Sequence, residues 1–195
     1  MHQLTYIVLD TETTGLSPKY GDRVVELAAV KIRDGEVQAS ENFSTLINPK
    51  RSIPAAATRV NKIRDDMVQD APEFESIVDE FYNFCEGADY MFIHNAKFDI
   101  GFLEHEMQKL NRVLKLPKVI CSVELSRRLY PEMRGHNLNA LSKRFGIDIK
   151  AGEARHRALG DVILTGEIIL KLYEDNPLIF QGTLEQLADS RFSCT

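Results

Sequence analysis

Two carboxylates stand two positions apart at the end of an apolar run near the start of the chain. Asp10 and Glu12 follow the run 6–9, and side chains at positions i and i+2 of a strand point to the same face. Neighbouring carboxylates raise each other's pKa unless a cation lies between them. Oxygen-rich sites of this kind suit Mg²⁺ or Mn²⁺. Alone, such a pair more often marks a solvated loop entrance, so a metal site requires further carboxylates to converge on it.

Two further acidic residues stand close to apolar segments. Asp99 closes the segment HNAKFD at 94–99 and opens a helix, where the helix dipole favours a carboxylate. By itself it is equally well an ordinary acid of a first helical turn. Asp161 closes the segment HRALGD at 156–161 and lies in an apolar stripe of a helix. A carboxylate in such a stripe needs a partner or a metal ion, which makes Asp161 the most unusual acid of the chain.

The four carboxylates together predict a two-metal centre. Sites in open α/β sheets form beyond the ends of strands, where Asp10, Glu12, Asp99 and Asp161 could meet. Two ions held about 3.5–4 Å apart stabilise the attacking and leaving oxygens of an in-line phosphoryl displacement. His156 is then the candidate general base, because imidazole titrates near neutral pH.

The elements that must position these residues follow from periodicity. Strands are expected at 6–9, 24–32 and 37–47, with Asp34-Gly35 as a hairpin turn between the last two. Alternating helices and short strands follow, which predicts a mixed α/β sheet with helices on both faces. Helices are expected at 55–64, 73–85, 99–110, 122–129, 137–145 and 158–173, and short strands at 90–93 and 119–121. The composition turns irregular after Asn176, so one domain, 1–176, and a C-terminal tail, 177–195, are expected.

Composition and the number of cysteines indicate which class of protein this is. The 195 residues are 44% hydrophobic and 27% charged, which is typical of a globular domain. No apolar stretch is long enough to cross a bilayer, and three scattered cysteines give neither a disulfide framework nor a zinc motif. A cytoplasmic protein without a membrane partner is therefore expected.

Charge is unevenly distributed along the chain. The net charge is −5, yet the stretch 127–157 holds eight basic and three acidic residues. Such a run is often a solvated helix face. Because this one adjoins His156 and Asp161, it predicts attraction of a phosphate backbone instead, with Arg134, Lys143 and Arg144 as residues near phosphate.

Three ordered segments carry a family resemblance. LDTETTGL at 9–16, HNAKFD at 94–99 and the His156–Asp161 pair resemble the three motifs of the DEDDh family of 3′–5′ exonucleases, over roughly residues 4–174. Epsilon-type proofreading subunits of bacterial DNA polymerase III are the most similar members. The resemblance implies a ribonuclease H-like α/β fold with a central five-stranded mixed sheet flanked by helices. It also implies that the four carboxylates bind two divalent ions, Mg²⁺ or Mn²⁺, and that Asp10 bridges both. By the same resemblance, His156 activates the attacking water and the products are nucleoside 5′-monophosphates.

The same resemblance suggests which residues contact the substrate. Thr13 and Thr14 correspond to positions that hold the terminal nucleotide, partly through backbone groups, and Leu16 to a wedge beside the terminal base. Asn95 could orient the Asp99 loop or contact substrate. Relatives often carry His-Gly where this chain has Asn61-Lys62. Asn61 can still hydrogen-bond there, but the change leaves the nucleotide preference open.

Three functions remain open at this point. The first is a 3′–5′ exonuclease acting on DNA with a free 3′ end, expected to be single-stranded, in proofreading with a replicative DNA polymerase or in repair. The second is trimming of RNA 3′ ends, which the sequence does not separate from the first because 2′-OH recognition depends on geometry. The third is a non-catalytic module that binds nucleic acid or a polymerase. The apolar residues of the tail could either dock on such a partner or fold back on the domain.

Overall fold

The centre of the molecule is a five-stranded mixed sheet. The computed structural model describes residues 4–147 and 157–189, and the strands lie in the order β3-β2-β1-β4-β5. Antiparallel pairing joins β1 to β2 and β2 to β3, whereas β1, β4 and β5 are parallel. The strands are β1 (Tyr6–Thr13), β2 (Val24–Arg33), β3 (Glu36–Leu46), β4 (Tyr90–Ile93) and β5 (Lys118–Cys121).

Helices cover both faces of this sheet, as expected. A short 3₁₀ turn (Pro18–Tyr20) follows β1. The helices are α1 (Ala55–Asn61), α2 (Asp65–Val68), α3 (Phe74–Cys85), α4 (Ala96–Lys109), α5 (Ser122–Leu129), α6 (Leu138–Phe145), α7 (Ala158–Asp175) and α8 (Pro177–Asp189).

Strand β1 sends alternate side chains into two separate cores. Tyr6 and Val8 pack with α5, α6, α7 and α8 on one face. Ile7 and Leu9 pack with α3 and α4 on the other. This alternation follows from the two-residue period of a strand. It means that the next residues of β1 also face two different helices, which decides how the acidic residues are arranged.

The hairpin turn agrees with the expectation from the sequence, whereas two helix boundaries differ from it. Asp34 and Gly35 both have positive φ, 54° and 79°, as a two-residue hairpin turn requires. Helix α4 begins at Ala96 rather than at residue 99, after Asn95 in the left-handed conformation with φ 63°. Asparagine tolerates that conformation better than most residues. The helix expected at 55–64 is shorter and ends at Asn61.

The segment expected to be an irregular tail is instead helical. Helix α8 starts directly after Asn176, and its Phe180, Leu184 and Leu187 are buried in the same core as α7. Residues 177–189 therefore pack on the domain as a helix, and the division at residue 176 stays a prediction. Of the two alternatives for its apolar residues, folding back on the domain is the one observed for these three. Residues 190–195 lie outside the described part of the chain.

Two further expectations concern membranes and cysteines. Among residues 4–147 and 157–189, no helix is long and apolar enough to cross a membrane. Cys85 and Cys121 are buried. Cys194 lies outside the described residues.

Candidate active site

Three carboxylates meet where β1 faces α7. Asp10 and Glu12 share the face of β1 that Tyr6 and Val8 occupy, and Asp161 lies in the first turn of α7. One oxygen of each of the three carboxylates lies within 4.8 Å of the others. Asp161 is only 8% exposed although its side chain is a carboxylate. The structure thus brings together three of the four predicted metal ligands.

The fourth acid, Asp99, approaches β1 from the opposite face. It lies in the first turn of α4 and is 2% exposed. Its Oδ1 accepts hydrogen bonds from the Thr11 backbone N–H at 2.9 Å and from the Thr11 hydroxyl at 2.7 Å. Because Thr11 stands between Asp10 and Glu12, this contact holds Asp99 against the strand that carries them.

Burial and mutual repulsion raise the pKa of these acids. Burial, followed by repulsion from Asp99, Glu12 and Asp161, raises the pKa of Asp10 well above its usual range. The same two causes raise the pKa of Glu12 to about 8. Burial raises the pKa of Asp99 to about 7, although its hydrogen bonds from Thr11 act in the opposite direction. A cluster of this kind binds protons tightly unless a cation replaces them.

Glu26 is a further acid beside this cluster, and it was not singled out from the sequence. It lies in β2 directly opposite Glu12 and is 3% exposed. The guanidinium of Arg157, at the start of α7, pairs with it at 2.6 Å. The strand position of Glu26 among apolar residues could have identified it as a buried acid, but nothing in the sequence indicates that Arg157 is its partner.

The predicted contacts to the terminal nucleotide surround one pocket. Thr13, Thr14, Leu16 and Asn61 line a cavity of about 560 Å³ that also reaches Glu12. Ligand pockets for small molecules commonly have volumes of about 300–1,000 Å³. Leu16 is 86% exposed at its rim. The pocket therefore places a nucleotide-sized space directly beside the acidic cluster.

Internal hydrogen bonds already engage the polar side chains of this pocket. The Thr13 hydroxyl donates to the Gly15 carbonyl at 2.6 Å, and the Thr14 hydroxyl accepts from the Arg23 backbone N–H at 3.0 Å. Asn61 is 2% exposed, donates to the Thr13 carbonyl at 3.2 Å and accepts from the Ile63 N–H at 3.0 Å. These side chains shape the loop, and backbone groups are left as the natural contacts to a ligand.

Asn95 differs from the other predicted substrate contacts. It is exposed, does not line the pocket beside Glu12 and makes no side-chain capping bond to α4. Its left-handed backbone turns the chain from β4 into α4. That geometry supports the role of orienting the Asp99 loop, and a direct contact to substrate stays a prediction.

A second pocket opens on the other side of the acids. Asp10 and Asp161 line it together with His94 and the start of α6, in a cavity of about 260 Å³. The Nδ1 atom of His94 lies 2.8 Å from the hydroxyl of the buried Ser122. Helix α6 begins beside this pocket, where the Asn137 side chain caps it by accepting from the Ala140 N–H at 2.9 Å.

The described residues include part of the predicted basic stretch. His156 lies outside the described residues, as do residues 148–155. Arg134, Lys143 and Arg144 are exposed, as nearness to phosphate would require. Arg157, however, faces Glu26 and belongs to the wall of the acidic centre instead of an open basic surface.

This arrangement of acids on a five-stranded sheet has counterparts among known proteins. Residues 7–169 match the family model described as Exonuclease (RNase_T). The chain belongs to this exonuclease family. The predicted enzyme class and the resemblance to DNA polymerase III epsilon proteins are thereby confirmed.

Two curated relatives illustrate the similarity of the exonuclease domain. The chain is 44% identical over 172 residues to a "DNA polymerase III subunit epsilon-like protein" of Rhodobacter capsulatus, covering 88% of this chain and 24% of that protein. It is 39% identical over 176 residues to the "DNA polymerase III subunit epsilon" of Rickettsia conorii, covering 88% and 75%. The chain thus spans about a quarter of the Rhodobacter protein, and 12% and 19% of two further relatives.

A solved structure confirms the fold of the exonuclease domain. The protein described as "Exonuclease X in complex with 5' overhanging duplex DNA" superposes with a TM-score of 0.71 at 29% identity, covering 94% of this chain and 98% of that one. The predicted ribonuclease H-like fold is confirmed.

The acidic centre suits the divalent metals that the family generally uses. Its donors are carboxylate oxygens, which hard cations such as Mg²⁺ and Mn²⁺ prefer. Asp10 and Glu12 are half-buried and Asp161 is buried, and the three carboxylates stand close together. The residues present therefore fit a metal centre.

Proposed function

We propose that this exonuclease domain removes nucleotides from the 3′ end of DNA in a two-metal reaction that releases nucleoside 5′-monophosphates. The observation that carries the proposal is the meeting of Asp10, Glu12 and Asp161 within 4.8 Å at the edge of a nucleotide-sized pocket. Two divalent cations, Mg²⁺ or Mn²⁺, are the proposed cofactors. Bound there, they would lower the pKa of water and stabilise charge on the attacking and leaving oxygens.

Each acid has a proposed part in holding these ions. A ligand atom of Asp10 lies within 4.8 Å of those of Glu12 and Asp161, and repulsion from these two acids and from Asp99 raises its pKa. Asp10 would therefore hold the ions together with Glu12 and Asp161. Asp99 accepts two hydrogen bonds from Thr11 through its Oδ1 and would hold the ions together with the other three acids.

His156 is the proposed general base. It directly precedes Arg157 in the sequence, and Arg157 pairs with Glu26 of β2. An imidazole can take a proton from water at neutral pH.

The terminal nucleotide is proposed to occupy the pocket of about 560 Å³ next to Glu12. Leu16 at the rim presents an exposed apolar side chain that can pack against the terminal base. The loop at Thr13 and Thr14, braced by Asn61, offers backbone groups to the nucleotide. Asn95 remains a candidate contact on the neighbouring loop.

DNA is the proposed substrate, and a replicative DNA polymerase the proposed partner. Support comes from the epsilon-named relative at 39% identity and from exonuclease X, whose structure holds a 5′-overhanging DNA duplex. A single-stranded or frayed 3′ end would fit a pocket that accepts one nucleotide, because a paired end would first have to separate.

Oligonucleotides of one sequence, as DNA and as RNA, test the proposal directly. With Mg²⁺ or Mn²⁺, we expect stepwise loss of 5′-monophosphates from the 3′ end of single-stranded DNA, faster than from RNA or from a fully paired end. Asp10→Asn should lower the rate by at least about 10³-fold, since a catalytic metal ion supplies several kcal/mol of transition-state stabilisation. Asp79→Asn, on the exposed face of α3, is the matched control and should be unaffected.

Other outcomes would favour the alternative functions. Preferential degradation of RNA would replace the DNA assignment by RNA 3′-end trimming. Binding of DNA without any hydrolysis would support a non-catalytic module. Activity that survives a metal chelator, or that Asp10→Asn retains, would contradict the two-metal mechanism.

A further inference from the structure

Glu26 is the acid that stands beside the metal centre without belonging to it. It pairs in register with Glu12 across β1 and β2, and opposed residues of antiparallel strands direct their side chains to the same face. Its neighbours Ala28 and Val30 at alternate positions lie in the core that packs on α7. Glu26 therefore points towards the start of α7, next to Glu12.

Both oxygens of Glu26 are occupied by the start of that helix. The Nη2 of Arg157 donates to Oε1 at 2.6 Å, and its Nε donates to Oε2 at 3.0 Å. The backbone N–H of Ala158 also donates to Oε2, at 3.0 Å. Because these donors take up the carboxylate, Glu26 is bound to α7 and is not available as a metal ligand.

Stability alone is a poor explanation for this pair. Removing two charges from water costs free energy that their attraction repays only in part. A bidentate pair of guanidinium and carboxylate does, however, fix the relative orientation of the two groups. Here it fixes the first turn of α7 to β2, beside the strand that carries Asp10 and Glu12.

Asp161 lies one helical turn beyond Arg157. Its backbone N–H donates to the Arg157 carbonyl at 3.2 Å, so a displacement of Arg157 moves Asp161 with it. Outer contacts that orient metal ligands typically change metal affinity or activity about 10- to 100-fold when removed.

We propose that Glu26 and Arg157 are positioning residues of the acidic centre. They hold the first turn of α7 so that Asp161 stays close enough to Asp10 and Glu12 to bind the same metal ions. The proposal rests on the metal-dependent function given above.

The molecule contains a second pair that serves as a control. Arg23 directly precedes β2. It donates from Nε and Nη2 to the two oxygens of Glu106 on α4, both at 2.7 Å. The side chains of this second pair are 18% and 3% exposed, compared with 31% and 4% for Arg157 and Glu26. This pair also joins the start of β2 to a helix. No residue of the acidic cluster, however, lies in the helical turn that contains Glu106.

The experiment compares Glu26→Gln with Glu106→Gln in the full chain. Each glutamine places an amide donor against a guanidinium, so both variants should lose comparable stability in urea. Only Glu26→Gln should weaken Mn²⁺ binding, measured by calorimetry without substrate, by about 10- to 100-fold. At saturating metal it should also lower kcat, whereas KM for a single-stranded DNA oligonucleotide should change little.

Arg157→Lys is a second variant that keeps the positive charge but removes the bidentate geometry. It should weaken Mn²⁺ binding in the same direction, because a single ammonium cannot fix the orientation of the helix. If both Arg157→Lys and Glu26→Gln bind Mn²⁺ as Glu106→Gln does, the positioning role is wrong. If the unaltered protein does not bind Mn²⁺, it is the metal-dependent function that fails.

Discussion

At the scale of single residues, the chemistry depends on carboxylates that the fold forces close together. Asp10, Glu12 and Asp161 would repel one another strongly as three free anions, and Asp99 adds to the repulsion on Asp10. Either protons or cations must compensate this charge. A divalent ion that binds between the acids relieves this repulsion, and the cluster therefore favours divalent ions.

The raised pKa values predict a pH dependence of the metal-free protein. The pKa of Glu12 rises from 4.5 to about 8 on folding, chiefly through burial, so the folded state holds its proton more tightly than the unfolded state. That contribution to the free energy of unfolding is complete below pH 4.5 and is lost as the pH rises towards 8. We expect urea unfolding with a chelator present to show falling stability across this range.

Glu12→Gln is the variant that isolates this effect. It cannot ionise, so the fall in stability between about pH 4.5 and 8 should become shallower than in the unaltered protein. Added Mn²⁺ should stabilise the unaltered protein more at pH 8 than at pH 5, because metal ions compete with protons for the carboxylates. Identical pH profiles for the two proteins would contradict the assignment.

At the scale of elements, the site depends on how closely α7 lies against the sheet. Gly166 lies on the helix face nearest β1 and β3, and a Cβ added there would stand 2.8 Å from Cγ2 of Val37 and 3.7 Å from Cγ2 of Val8. The absence of a side chain at this position lets α7 approach the strand that carries Asp10 and Glu12.

Replacing this glycine should separate helix and sheet. Gly166→Ala should cost about 1–3 kcal/mol of stability, because inserting a methyl group into a packed core forces its neighbours to move. Gly101→Ala in α4 is the matched control, since no heavy atom of the described residues lies within 4 Å of its added Cβ. There we expect a gain of about 0.5–1 kcal/mol from the better helix former. Urea denaturation of both variants checks the opposite signs, and equal effects would contradict the close approach.

At the scale of the whole molecule, α8 completes the core of the exonuclease domain. Phe180 and Leu184 are 1% and 0% exposed, and Phe180 packs edge-on against Tyr173 of α7. Leu178, on the same helix, is 97% exposed. The inner face of α8 is therefore used within the domain.

Substitutions on the two faces of α8 should have very different effects. Leu184→Ala should lower the free energy of unfolding by about 2–5 kcal/mol, the usual cost of removing a buried leucine side chain. Leu178→Ala should stay within about 0.5 kcal/mol, as most exposed substitutions do. Thermal or urea unfolding measures both. A neutral Leu184→Ala would show that α8 does not contribute to the core.

Much of this protein could be predicted from its sequence. The sheet strands, the hairpin at Asp34 and Gly35, and the apolar helix around Asp161 follow from local periodicity and turn chemistry, which depend on neighbours in the chain. The order and separation of the three acidic segments were enough to indicate the family. The helix at 177–189 was missed because its apolar residues form a buried face only when α7 is beside them.

Contacts between distant residues were decided by the tertiary structure alone. The alternation of β1 places Asp10 and Glu12 towards α7 and Thr11 towards Asp99 on α4. Glu26 meets Arg157 across 131 positions of the chain. Sequence determines which side chains can ionise and which segments can form helices or strands. Which of those side chains share a buried space depends on the packing of α7 and α4 on opposite faces of one sheet, and no local pattern encodes that packing.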